Sequence, residues 1–216
     1  MDTFIYLHGF ASSPGSAKGV ALAERFAGRG IALRLPDLNV PDFARLTVSA
    51  MIERARAEID SAPGPAHLIG SSLGGLVALH TAARDERVAS LALLAPAIDF
   101  AANRRAMMGE ETLRRWRESG WHEFHNYRDG APRPVHYGLV EDAAGYDSAA
   151  LRLGLPILLI HGTRDESVSH GQSVAWAAGR PNVTLRLPDA DHGMLGEIDA
   201  IWGELEEWYG LQGISL

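Results

Sequence analysis

The first chemistry the chain offers is a serine flanked by glycines two positions away on either side. Gly70-Ser71-Ser72-Leu73-Gly74 fits G-x-S-x-G, following the apolar run His67-Leu68-Ile69 and opening the small-residue segment Leu73-Gly74-Gly75-Leu76-Val77-Ala78. A strand before and a helix after put the central hydroxyl on a tight, strained turn, where the glycines let strand and helix approach closely. The helix N-terminus beneath it supplies free N–H groups and partial positive charge for a developing anion. In isolation the five-residue pattern is also compatible with a plain turn; the strand-to-helix context makes Ser72 the expected nucleophile. Ser71, off-centre in the motif, is the neighbouring decoy. Phosphate-binding readings of the glycines fail. No Gly-Lys-Ser/Thr occurs, Lys18 is out of position for one, and no G-x-G-x-x-G follows a strand.

A serine hydroxyl needs a general base, and the base needs an orienting carboxylate. On a strand–turn–helix nucleophile the order along the chain is Ser, then acid, then His. Of nine histidines, only His161, His170 and His192 follow Ser72 at a useful distance. His192 lies in Asp189-Ala190-Asp191-His192-Gly193-Met194, between the last strand and the final helix, and is the expected base. His161 ends an apolar strand and reads as structural; His170 opens a helix. The expected acid is Asp165, in the loop His161-Gly162-Thr163-Arg164-Asp165-Glu166 that leaves the strand Pro156–Ile160. Asp189 and Asp191 are too close to His192 in sequence to reach round its imidazole. Acyl transfer also needs donors for an oxyanion. The N–H of Leu73 is one, and the N–H of Phe10, at the exit of the first strand through His8-Gly9-Phe10, is the other. His8 itself is expected to brace that loop. His122-Glu123-Phe124-His125 is one residue short of the H-E-x-x-H zinc pattern, so no metal is expected.

These residues need a scaffold that brings distant stretches to one edge. Short β-rich runs (Phe4–His8, Ile31–Leu35, His67–Ser71, Val88–Leu94, Pro156–His161, Val183–Leu187) alternate with segments of helical period. The clearest helices are Ser16–Ala27, Ala44–Ile59, Leu73–Arg84, Ser169–Ala178 and Leu195–Tyr209. The last aligns Ile198, Ile201, Trp202, Leu205 and Trp208 on one stripe. Such alternation predicts an α/β fold with a parallel sheet covered on both faces. From Asp99 to Leu151 the alternation stops, with a charged helix (Arg104–Glu118) and then an irregular part without a convincing strand. Seven of the sixteen aromatic residues sit in that stretch, which argues against disorder and suggests a lid insertion over about residues 99–151 of a single domain, 1–216. Trp116, Trp121, Phe124 and Tyr137 are its candidate substrate-facing residues.

Composition bounds the rest. The chain has 216 residues, 46% of them hydrophobic, which suffices for a core without staples. A formal net charge of −7 argues against nucleic acid or anionic membrane as a partner. The absence of cysteine excludes thiol nucleophiles and disulfide scaffolds. No apolar run reaches the ~18 residues of a membrane span, and Met1-Asp2-Thr3 lacks the basic start of a secretory signal, so a cytoplasmic protein is expected. Lys18 is the only lysine, which reads as a compositional habit.

The sequence resembles the serine hydrolases of the α/β-hydrolase superfamily. Phe4 to Lys18 and Gly70-Ser71-Ser72-Leu73-Gly74-Gly75 resemble small bacterial esterases of the YqiA type. Arg114 to Asp165 resembles the lid and acid loop of ABHD-type acyl-ester and acyl-thioester hydrolases. The resemblance spans nearly the whole chain. It implies an α/β-hydrolase fold that starts at the superfamily's third strand, with a mostly parallel sheet of about six strands. It also implies a Ser72–Asp165–His192 triad, an oxyanion hole from Phe10 and Leu73, and no cofactor. The expected activity is hydrolysis of carboxylic esters or thioesters of small-to-medium apolar acyl or aryl substrates. The same scaffold runs other acyl and C–C chemistries, and a catalytically silent fold binding a small ligand or a protein is the alternative from another class.

Overall fold

The computed structural model describes residues 2–216. In chain order its strands are β1 (Thr3–Leu7), β2 (Leu33–Arg34), β3 (Ala66–Ser71), β4 (Val88–Leu94), β5 (Trp121–Asn126), β6 (Ala131–His136), β7 (Ile157–Ile160) and β8 (Val183–Arg186). Its helices are α1 (Ala17–Gly28), α2 (Val48–Asp60), α3 (Leu73–Ala82), α4 (Phe100–Ser119), α5 (Gly138–Ala143), α6 (His170–Ala177) and α7 (Ile198–Leu211). Six strands pair in parallel in the order β2-β1-β3-β4-β7-β8, and β5 and β6 form a separate antiparallel hairpin. This is the expected α/β-hydrolase architecture with its six-stranded sheet.

Parallel strands bury both faces, so they read as nearly continuous apolar runs. Side chains alternate between two cores. Ile5, Leu7, Leu68, Leu91 and Leu159 face α2 and α3, whereas Phe4, Tyr6, Ile69, Leu158 and Ile160 face α1 and α7. Ile201, Leu205 and Trp208 of the predicted α7 stripe are buried, with Tyr209 beside them. The register aligns the strand ends: Leu7 pairs with Gly70, Ser71 with Leu94, Leu94 with Ile160, and Ile160 with Arg186. From β1 the chain crosses to β2 at the edge, then returns to place β3 on β1's other side. That reversal makes the carboxyl ends of β1 and β3 a topological switch point, where open α/β sheets form their ligand crevice.

Helix boundaries move where caps decide them. α2 starts at Val48 instead of Ala44 because the Thr47 hydroxyl accepts the Ala50 N–H at 3.1 Å. α4 starts at Phe100, capped by Asp99, and breaks its helical backbone at Gly109, where φ is 75°. The stretch expected to hold no strand contains the β5–β6 hairpin and α5. Its alternation was obscured by histidines on one strand and by Pro132 and Pro134 on the other. Prolines are tolerated there because each strand of a two-stranded ribbon has a free edge. No helix among the described residues is long and apolar enough to cross a membrane.

Candidate active site

Ser72 sits directly after β3, at the N-cap of α3, with φ 53° and ψ −119°. A non-glycine residue there is strained, and such strain persists only where the surroundings over-determine it. Here two backbone bonds pin it: the Ser72 N–H donates to Leu94 O at 2.9 Å, and Ser72 O accepts from Ala97 N at 3.0 Å. The turn therefore lifts the side chain off the sheet edge toward the loops that follow β7 and β8.

Those loops are joined before they reach it. The N–H groups of His161, Thr163 and Arg164 donate to the carbonyls of Arg186, Pro188 and Ala190 at 3.0, 2.9 and 2.9 Å. A Cβ at Gly162 would lie 2.2 Å from Ala190 O, so only glycine lets the two backbones run this close. Zipped together, they carry Asp165 and His192 to the same point. His192 Nδ1 lies 2.7 Å from Asp165 Oδ2, and its Nε2 lies 3.1 Å from Ser72 Oγ. Asp165 Oδ2 can only accept, so in the neutral ring Nδ1 carries the proton and Nε2 is free to accept from the serine hydroxyl.

The Asp165 side chain is fully buried. Its Oδ1 accepts the N–H groups of Ser167 and Val168, both at 2.8 Å, and its Oδ2 also accepts from His161 Nε2 at 3.0 Å. Burial alone would raise this carboxyl, but the hydrogen bonds from His161, His192 and Val168, with the charge of His192, hold it well below the usual carboxylate range. His161 is the residue whose part the sequence understated. Its Nε2 faces two acceptors, Asp165 Oδ2 and Val168 O, both at 3.0 Å, while its Nδ1 meets Ser173 Oγ at 2.7 Å. It holds the same carboxylate oxygen that His192 Nδ1 meets. Its position in His161-Gly162-Thr163-Arg164-Asp165, four residues before the acid, was the available signal.

The exit of β1 runs beside the serine. A Cβ built on Gly9 would lie 3.1 Å from Ser72 Cβ. The loop is braced by buried His8, whose Nε2 accepts the Leu38 N–H at 3.0 Å and whose Nδ1 donates to Gly9 O at 2.9 Å. Leu73, at the first position of α3, has an N–H with no intrahelical partner. Ser72 opens into a cleft of about 830 Å³ whose lining includes Phe10, Lys18, Tyr127, His192 and Leu195.

None of the four aromatic residues expected to face substrate borders that cleft. Trp116 is buried at 1% exposure, its indole N–H donating to Val135 O at 2.8 Å. Phe124 and Tyr137 pack on Trp116, with ring centroids at 5.0 and 5.5 Å, and Trp121 meets His136 edge to face beneath Arg45. These rings hold the hairpin and α4 together, burying large apolar surface between elements that have no place on the main sheet. The excursion reaches the cleft instead through Tyr127 and Arg128, at the turn after β5, where the Tyr127 N–H donates to Ala11 O at 2.9 Å. In the near-zinc pattern, His122 packs toward Trp116 and exposed His125 lies against Tyr127. They are three apart on a strand and take opposite faces.

Residues 3–202 match the family described as "Uncharacterised protein family (UPF0227)". The rat palmitoyl-protein thioesterase ABHD10, mitochondrial, is 28% identical over 203 residues, covering 88% of this chain and 68% of the relative. The solved structure of mouse alpha/beta hydrolase domain-containing protein 10 is similar with a TM-score of 0.80 and 25% identity, covering 97% of this chain and 90% of that one. Est1E from Butyrivibrio proteoclasticus, solved with ferulic acid bound, is similar with a TM-score of 0.83 at 21% identity, covering 98% of this chain and 89% of that one.

Proposed function

The chain belongs to the UPF0227 family, whose description assigns no reaction, and from the geometry at Ser72 we propose that it is a serine hydrolase cleaving carboxylic esters or thioesters. The observation that carries the reading is the unbroken relay from Ser72 Oγ through the imidazole of His192 to the buried carboxylate of Asp165. Relatives named as a palmitoyl-protein thioesterase support the reaction class.

In this reading Ser72 Oγ attacks the acyl carbonyl while its proton passes to His192 Nε2. Asp165 holds the ring in the Nδ1–H form and stabilises the imidazolium without taking its proton. The carbonyl oxygen, now an oxyanion, accepts from the N–H groups of Phe10 and Leu73. As the tetrahedral species collapses, His192 returns the proton to the leaving alcohol or thiol, and an acyl-Ser72 ester remains. Water enters by the same route: His192 takes its proton, the acid leaves, and Ser72 regains its hydrogen. The mixed apolar and polar lining of the cleft suits small-to-medium acyl or aryl groups. The single domain carries residues 99–151 as a small lid that meets substrate through Tyr127 and Arg128.

A panel of p-nitrophenyl esters of increasing acyl length, with matched acyl thioesters, tests the proposal. Saturable hydrolysis with a preference for apolar acyl groups is expected, falling to background in Ser72→Ala. A folded protein inert to the whole panel, or a Ser72→Ala variant as active as the parent, would overturn it.

A further inference from the structure

The chain's one lysine is buried beside this site. Lys18 lies in the first turn of α1, 7% exposed, and its ammonium donates to Ser71 Oγ at 3.1 Å and to the main-chain carbonyl of His192 at 3.5 Å. It makes no ion pair within 4.0 Å among the described residues; the nearby carboxylates of Asp165 and Asp191 act on it only through their field. Burying an ammonium without a carboxylate against it is costly, and a methionine or leucine would fill the same space without that cost. The contacts chosen are specific. One is the residue immediately before the nucleophile, the other is the base itself, 53 and 174 residues away in sequence. Gly19 allows the approach, since a Cβ there would come within 2.8 Å of the Tyr6 ring; α1 therefore sits low enough on the sheet for the lysine to reach.

Resting on the hydrolase reading above, we propose that Lys18 is a positioning residue: its ammonium ties the carbonyl of His192 to the hydroxyl of Ser71 and thereby sets the height of the imidazole over Ser72. The loop that carries His192 leaves the edge strand β8 and has bonds to the β7 loop on one side. Lys18 supplies the hold on the other side, toward β1 and β3. Without it the ring keeps its partner Asp165 but loses its fixed distance to the serine. A misplacement of this kind slows the chemical step without weakening substrate binding. Burial pushes the ammonium down to about 8, against the pull of Asp165 and Asp191.

The test compares Lys18→Met, Ser71→Ala and the double variant for kcat and KM on p-nitrophenyl butyrate. The rate at which a fluorophosphonate captures Ser72 is measured in parallel. Lys18→Met is expected to lower kcat and the capture rate by about 10- to 100-fold with KM nearly unchanged. Ser71→Ala should lose less, and the double variant should be no worse than Lys18→Met alone, because the two groups form one contact. Folded Lys18→Met with parental kcat, or losses that multiply in the double variant, would overturn the inference. If Lys18→Met does not fold, Ser71→Ala decides: a several-fold fall in kcat at constant KM supports the tether, and a parental kcat overturns it. Normal capture by parent and variant alike sinks only the role of Lys18, whereas a parent that is never captured at Ser72 sinks the hydrolase reading with it.

Discussion

At the carboxyl rim of the sheet, polar side chains hang on loops fixed by backbone bonds, and each meets a partner far away in sequence. His192 reaches Ser72 across 120 residues and Asp165 across 27. The excursion between β4 and β7 also reaches distant partners, Phe124 on Phe10 and Asp142 on Ser49 among them, but its aromatic cluster is built from near neighbours. Trp116, His122, Phe124 and Tyr137 pack on one another, and Arg114 pairs with Glu111 and Glu118 on its own helix. The contrast separates two uses of costly side chains. At the rim the sheet has already bought the rigidity, so a histidine or an aspartate is available for chemistry. In the excursion the side chains must themselves supply the order, and large aromatics are spent on packing.

Substitutions can break this contrast. The largest effect is expected at the rim: Asp165→Asn should lower kcat by about 10³- to 10⁴-fold, because the amide favours the wrong imidazole tautomer while leaving the fold intact. Steady-state kinetics with a circular-dichroism control reads it out, and a loss below about tenfold would remove Asp165 from the relay. Gly74→Ala should act through stability. Its Cβ would lie 2.0 Å from Leu7 O, backbone against backbone, and a cost of about 3 kcal/mol or more is expected in urea unfolding.

The excursion should respond differently. Trp116→Ala removes a buried indole and its hydrogen bond and should cost about 3–5 kcal/mol, while kcat per folded molecule stays near the parental value. Tyr127→Ala, 75% exposed at the cleft, should do the reverse: parental stability with a several-fold change in KM. A large kcat loss in Trp116→Ala, or none in KM for Tyr127→Ala, would erase the distinction drawn here.

The smallest effect lies at the seam between the two regions. His80 of α3 meets Ser148 at 3.0 Å, and its imidazole is pushed down to about 4 by burial and by Arg84, against Asp147. Its ordinary value is about 6.5, so the unfolded chain binds the proton first as pH falls. The stability this group contributes is full above about pH 6.5 and is lost as pH drops through about 4. The urea midpoint should therefore decline from pH 7 to pH 5, and the decline should be shallower in His80→Gln; equal slopes would refute the linkage.

The same contrast explains what could be read from the sequence. The succession of sheet strands along the chain, the turn at Ser72 and the loops bearing Asp165 and His192 follow from apolar runs and from the places where those runs stop. A parallel sheet then forces the stopping points to one rim. The hairpin was illegible because the alternation of Trp121-His122-Glu123-Phe124-His125 is carried by histidines, which suit either face, and because prolines occupy its partner strand. The part of His161 and the hold of Lys18 were missed for another reason. Lys18 depends on Ser71 and the His192 carbonyl, far away in sequence, which no local pattern encodes, whereas His161 left one local trace, its place four residues before Asp165, that does not show what the ring holds.

The most direct test of the central claim is the site of covalent capture. After treatment with a fluorophosphonate, proteolysis and peptide mass spectrometry should find one adduct, on Ser72, and none in a His192→Ala variant at the same exposure. An adduct on Ser71, or an unmodified and fully folded protein, would contradict it.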